Sequence, residues 1–116
     1  MTTSTAQQTA DDFVRAWTSG DVDKALSLLA PDVVCEAPSG RFEGVDRYRE
    51  FLSRFVSMVT SASVIDVLGD GNRAVAVYTT DTPFVQDFRG IDHFTVENGS
   101  ITHIISVFDR LPMSNK

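Results

Sequence analysis

The 116 residues include a single cysteine, Cys35, so no internal disulfide can form, and no Cys/His grouping has the spacing of a zinc site. The expected role of Cys35 is that of a small buried thiol. No Lys/Arg run interrupts an acidic balance of 16 Asp or Glu against 10 Lys or Arg, a formal net charge of −6. Nucleic acid and anionic membrane surfaces both need a cationic footprint, so neither is an expected partner. No apolar stretch approaches 18 residues, and residues 1–12 have neither the positive start nor the apolar run of a secretory signal. A cytoplasmic protein without a membrane segment is expected. A glycine-rich phosphate loop and a Gly-x-Ser-x-Gly elbow are missing too, which removes support for nucleotide binding and covalent acyl chemistry.

What is present suits one layered domain over residues 1–116, with 1–9 as a flexible tail, because 42% apolar residues at this length fill one core without staples. Ala10, Phe13, Val14 and Trp17 recur at i, i+3, i+4 and i+7 and predict a helix over residues 10–19, closed by Gly20. Asp21 is placed to cap a short second helix with Val22, Ala25, Leu26 and Leu29 as its apolar stripe, ended by Ala30-Pro31. Residues 33–37 predict a brief strand before the turn Pro38-Ser39-Gly40. A third helix is expected over residues 45–59, with Tyr48, Phe51, Leu52, Phe55, Met58 and Val59 on one stripe. Beyond Thr60 the apolar period falls to two, and strands are expected over residues 63–68, 74–80, 88–96 and 101–108. Gly69-Asp70-Gly71-Asn72 and Glu97-Asn98-Gly99-Ser100 read as hairpin turns, the second with an Asn-Gly pair that tolerates positive φ at both central positions. Helices first and hairpin-linked strands last predict an α+β fold, an antiparallel sheet with its helices on one face.

Strand alternation assigns the faces. On the last strand Ile101, His103, Ile105 and Val107 share one side, and Thr102, Ile104, Ser106 and Phe108 the other. Neither is polar, and with helices over one side only, the second face calls for another cover, most simply a homodimer through the sheet. Over residues 88–96, Phe88, Gly90, Asp92, Phe94 and Val96 share a face, so Asp92 falls on an apolar surface, where lost solvation raises a carboxyl pKa. His93 and His103 fall on the face away from Asp92. Phe13, Trp17, Phe51, Phe55, Phe94 and Phe108 occupy core-facing spacings, which suit an ordinary core as well as a ligand box.

Several segments together carry a resemblance. They are Phe13-Val14-Arg15-Ala16-Trp17, Gly20-Asp21-Val22-Asp23, Leu28-Leu29-Ala30-Pro31-Asp32-Val33-Val34, Phe42-Glu43-Gly44, and Ile91-Asp92-His93-Phe94 through Asn98-Gly99. The chain resembles the SnoaL-like branch of the NTF2-like superfamily, which includes the ketosteroid isomerases. The resemblance implies a curved antiparallel sheet wrapped by three N-terminal helices into a cone, with an apolar pocket for a small ligand. It leaves the activity open, since that cone hosts isomerases, cyclases, epoxide hydrolases and non-catalytic subunits.

Carried over residue by residue, the isomerase site is incomplete. Its helix-one Tyr corresponds to Phe13, and its base, an Asp before Pro, corresponds to Ala37 before Pro38. Its second Asp is retained as Asp92, which the resemblance makes an acid or oxyanion donor. Glu36 adjoins the missing base but alternation turns it away. Asp81 shares parity with Val75, Val77 and Thr79, the β-branched face expected inward, and is the leading substitute base. Epoxide hydrolysis is disfavoured, because its last-strand Asp corresponds to Ser106 and no Arg-x-Asp stands on the middle strand. A polyketide cyclase needs only a shaped apolar cavity and one acid, with Ser106 as a polar neighbour. The resulting expectation is a protein that binds a small apolar carbonyl compound, with Asp92 and Asp81 catalytic and Phe13, Trp17, Phe55, Phe94, Ser106 and Phe108 around the ligand. No metal or cofactor is expected. The alternatives are binding without turnover, which Phe13 and Ala37 favour, and an association module built on the sheet.

Overall fold

A computed structural model describes residues 5–108 of the chain. Helix α1 runs over Thr5–Thr18, starting five residues earlier than the spacing predicts, because Ala6 extends the stripe of Ala10, Phe13, Val14 and Trp17 backward. Residues 5–9 are therefore helical and not a tail, with Ala6 and Thr9 buried, while residues 1–4 lie outside the described residues. Helix α2, Val22–Leu26, starts where the Asp21 carboxylate accepts the Lys24 amide at 3.1 Å.

Leu29 and Pro31 do not close that helix. They belong to strand β1, Leu29–Ala37, whose register is irregular between Leu29 and Val34, where Pro31 offers no amide to a ladder. Strand β2, Gly40–Glu43, folds back on β1 through the turn at Pro38 and Ser39 and carries Phe42 opposite Cys35. Helix α3 spans Val45–Met58. The four later strands fall close to where the period-two pattern puts them: β3 Ser61–Asp70, β4 Arg73–Asp81, β5 Phe88–Glu97 and β6 Ser100–Phe108. Asn98 and Gly99 both have positive φ, 53° and 81°, as the Asn-Gly hairpin requires.

The six strands form one sheet in the order β2-β1-β6-β5-β4-β3. It is antiparallel except where β1 runs parallel to β6, a pairing that strands remote in sequence make and that no local pattern announces. Helix α1 packs against β3 and β4, and α3 packs against β1, so one side of the sheet is covered. On that side Phe13 meets Phe94 edge-on at 5.5 Å, both fully buried. Truncating either ring would cost about 3–5 kcal/mol.

One face assignment needs correction. The ladder between β5 and β6 shifts between Thr95 and Val96, which pair with His103 and Ile101, so Thr102 is the extra residue of a bulge. Ile101 thereby joins Ile104, Ser106 and Phe108 on the helix-covered side and is completely buried, while Ile105 and Val107 remain exposed on the other.

Candidate functional site

The covered side of the sheet is not packed solid. Between α3 and the sheet lies a cavity of about 560 Å³, lined from α1 by Trp17, from α3 by Tyr48, Phe51, Leu52, Phe55 and Met58, and from the strands by Phe42, Tyr78, Phe88, Asp92, Ser106 and Phe108. Arg47, Glu50 and Arg54, all exposed, stand at its border on α3 with Ser39. The aromatic residues are mutually braced. Phe42 stacks on Phe51 at 4.6 Å, Trp17 meets Phe55 at 5.7 Å, and Phe88 meets Phe108 at 5.7 Å.

Asp92 is the carboxylate in this apolar lining, 3% exposed, with Ser106 opposite it on β6. Tyr78 reaches it from β4, its hydroxyl donating to Asp92 Oδ1 at 3.2 Å. The donor arrives because Tyr78 pairs with Gly90, two residues before Asp92, and a Cβ at Gly90 would stand 2.7 Å from the Tyr78 hydroxyl. Only an unsubstituted residue lets that ring lie across β5. Burial pushes the Asp92 carboxyl up to about 6, against hydrogen bonds from Ser106 and Tyr78 that favour its charge. Burial, reinforced by the Asp92 charge, pushes the Tyr48 and Tyr78 phenols well above their ordinary range, so both remain protonated donors. Cys35, buried with its Sγ 3.9 Å from Ser106 Oγ, is pushed by burial up to about 12 and stays a thiol.

Of the residues expected at the ligand, Asp92, Trp17, Phe55, Ser106 and Phe108 come together on this cavity. Phe13 and Phe94 do not; they are core, with no exposed surface. Asp81 is also displaced. On β4 the buried side chains are Ala74, Ala76, Tyr78 and Thr80, so the Val75, Val77 and Thr79 parity faces away, and Asp81 with it. Small alanines are turned inward because α1 lies against this strand. The Asp81 carboxylate instead accepts from Ser61 Oγ at 2.9 Å and the Asp87 amide at 2.7 Å, holding the loop between β4 and β5. Glu36 points outward as expected, with Oε2 2.6 Å from His103 Nε2. Tyr78, unnoticed in the sequence, could have been found by its parity with the alanines, and Tyr48 by its place on the α3 stripe. Among the described residues no group of three His, Cys, Asp or Glu side chains is arranged to hold a metal ion, and no helix is long and apolar enough to cross a membrane.

The SnoaL-like domain family matches residues 10–104. The chain belongs to that family. This SnoaL-like protein is 36% identical to a Kribbella flavida protein of known crystal structure, with a TM-score of 0.91 over 95% of this chain and 91% of that one. A candidate ketosteroid isomerase from Kribbella flavida is 20% identical, with a TM-score of 0.78 over 90% of this chain and 78% of its own. A candidate polyketide cyclase from Sinorhizobium meliloti is 20% identical, with a TM-score of 0.75 over 85% and 93%. The last two likenesses establish the fold alone. No curated protein sequence matches the chain. The family and the mixed α+β cone agree with the resemblance read from the sequence.

Proposed function

We propose that this SnoaL-like protein binds a small, mostly apolar carbonyl compound between α3 and the sheet, and that Asp92 exchanges a proton with it in a cofactor-independent cyclisation or isomerisation. The observation that carries this reading is a carboxyl buried among aromatic rings and held by Tyr78, which burial pushes up to about 6. A group with that pKa is available in both forms near neutrality, the condition under which proton transfer is most effective. Protonated, Asp92 donates to an oxyanion that develops on the ligand; ionised, it accepts a proton from carbon or hydroxyl. Binding without turnover is the second reading, favoured by Phe13 and Ala37 at the positions where isomerases of this fold carry a Tyr and a base.

Titration with 2-naphthol tests the reading. The phenol is expected to bind in the cavity, with an affinity that follows the ionisation of Asp92. Asp92→Asn should weaken binding and, with a substrate in hand, cut turnover by roughly two orders of magnitude while the fold survives. Failure of any apolar phenol to bind at millimolar concentration would overturn it. Loss of affinity in a protein that turns nothing over supports the second reading.

The uncovered side of the sheet supports a proposal on assembly. Val77, Ile91 and Val107 are consecutive cross-strand partners, as are Leu68, Val75, His93 and Ile105. Leu68, Ile91, Ile105 and Val107 are each at least 40% exposed. A second copy laid on this apolar surface is the proposed cover.

A further inference from the structure

Trp17 is 3% exposed, and among the described residues its indole Nε1 is the buried side-chain nitrogen or oxygen without a hydrogen-bond partner. The residue stands on the wall of the cavity. We propose that the Trp17 indole N–H is a ligand-binding donor that gives its hydrogen bond to the carbonyl oxygen of the compound held there. This rests on the reading of the cavity as a carbonyl-compound site and adds the group that recognises the oxygen.

Burying an N–H away from water without an acceptor is unfavourable, and a phenyl ring would fill an apolar wall with no such penalty. The surrounding rings do not remove the penalty. Tyr78 stands perpendicular to the indole at 4.9 Å and Phe55 at 65° and 5.7 Å, and an aromatic face is at best a weak acceptor. Tyr78 has one hydroxyl proton and gives it to Asp92, so it is not the donor a ligand oxygen would find. The indole proton is uncommitted. Phe55, half-buried on α3 with its ring 5.7 Å from the indole, is the side chain that would have to move for a ligand oxygen to reach Nε1. A site built this way discriminates by chemistry as well as shape, because a hydrocarbon of equal size leaves the donor orphaned.

Trp17 is the only tryptophan in the chain, so a nitrogen-15-labelled sample shows a single indole N–H signal. The probes are 1-tetralone and its hydrocarbon counterpart tetralin. The expected result is a downfield shift of the indole proton with 1-tetralone and none with tetralin. In calorimetry Trp17→Phe should weaken 1-tetralone roughly tenfold more than it changes tetralin, whose affinity reports the altered shape of the wall. If 1-tetralone binds while the indole proton responds no differently than to tetralin, the donor role is overturned and the carbonyl-site reading stands. An equal change for both compounds in Trp17→Phe has the same meaning, and the labelled unaltered protein decides alone if that variant does not fold. Binding of neither compound overturns both.

Discussion

Gly90 and Tyr78 are directly opposed on β5 and β4, and the missing side chain of the one makes room for the ring of the other to cross the strand and donate to Asp92. The position of the donor thus depends on a residue that touches no ligand.

Gly90→Ala is expected to push the Tyr78 ring aside and break its bond to Asp92, destabilising the protein by about 1–3 kcal/mol. Because that bond favours the carboxylate, both Gly90→Ala and Tyr78→Phe should move the Asp92 titration above 6. Carboxyl carbon NMR measures it directly, and an Asp92 titration unmoved in both variants contradicts the assignment.

Asp92 makes stability depend on pH. Its pKa rises from 3.8 to about 6 on folding, so ionising it favours the unfolded chain. Its contribution is fully present below about pH 3.8 and is lost as pH rises through about 6. Two units of difference correspond to about 3 kcal/mol. Asp92→Asn should therefore reduce the loss of stability between pH 4 and pH 8 by that order, as measured by urea unfolding at both values. An unchanged profile would mean that Asp92 is not the titrating group.

Asp81→Ala should leave cavity binding unaltered and cost about 1 kcal/mol, the worth of its bonds to Ser61 and the Asp87 amide. Calorimetry with 2-naphthol and a thermal melt separate the two effects. A variant that folds normally but loses the phenol would return Asp81 to the site.

Val107→Lys places a charge at one end of the exposed apolar row, beside Ile91. Light scattering at micromolar concentration should give a dimeric mass for the unaltered protein and a monomeric one for the variant. A monomer without the substitution removes the proposed second copy.

Much of this architecture is legible in local pattern. The period-two run in β5 set Asp92 among Phe88, Phe94 and Val96, and the structure buries all of them on one side. The 3.6-residue stripe of α3 contained Tyr48, Phe51 and Phe55, which all reach the cavity. Where two faces of a strand were both apolar, pattern could not choose. In β4 the valines suggested the inner face, but close packing of α1 favours the alanines there, and Tyr78 and Asp81 exchange sides as a result.

Composition and periodicity alone determined an acidic single-core α+β chain, its helices and late strands, and the burial of one carboxyl, because each depends on neighbours within a few residues. The parallel pairing of β1 with β6, the bulge that turns Ile101 inward, and the meeting of Tyr78 with Asp92 over Gly90 were decided only in three dimensions. Each is a matter of register between strands. A strand's own sequence states which residues share a face, whereas the residue opposite is set by the whole sheet and by the helices packed on it.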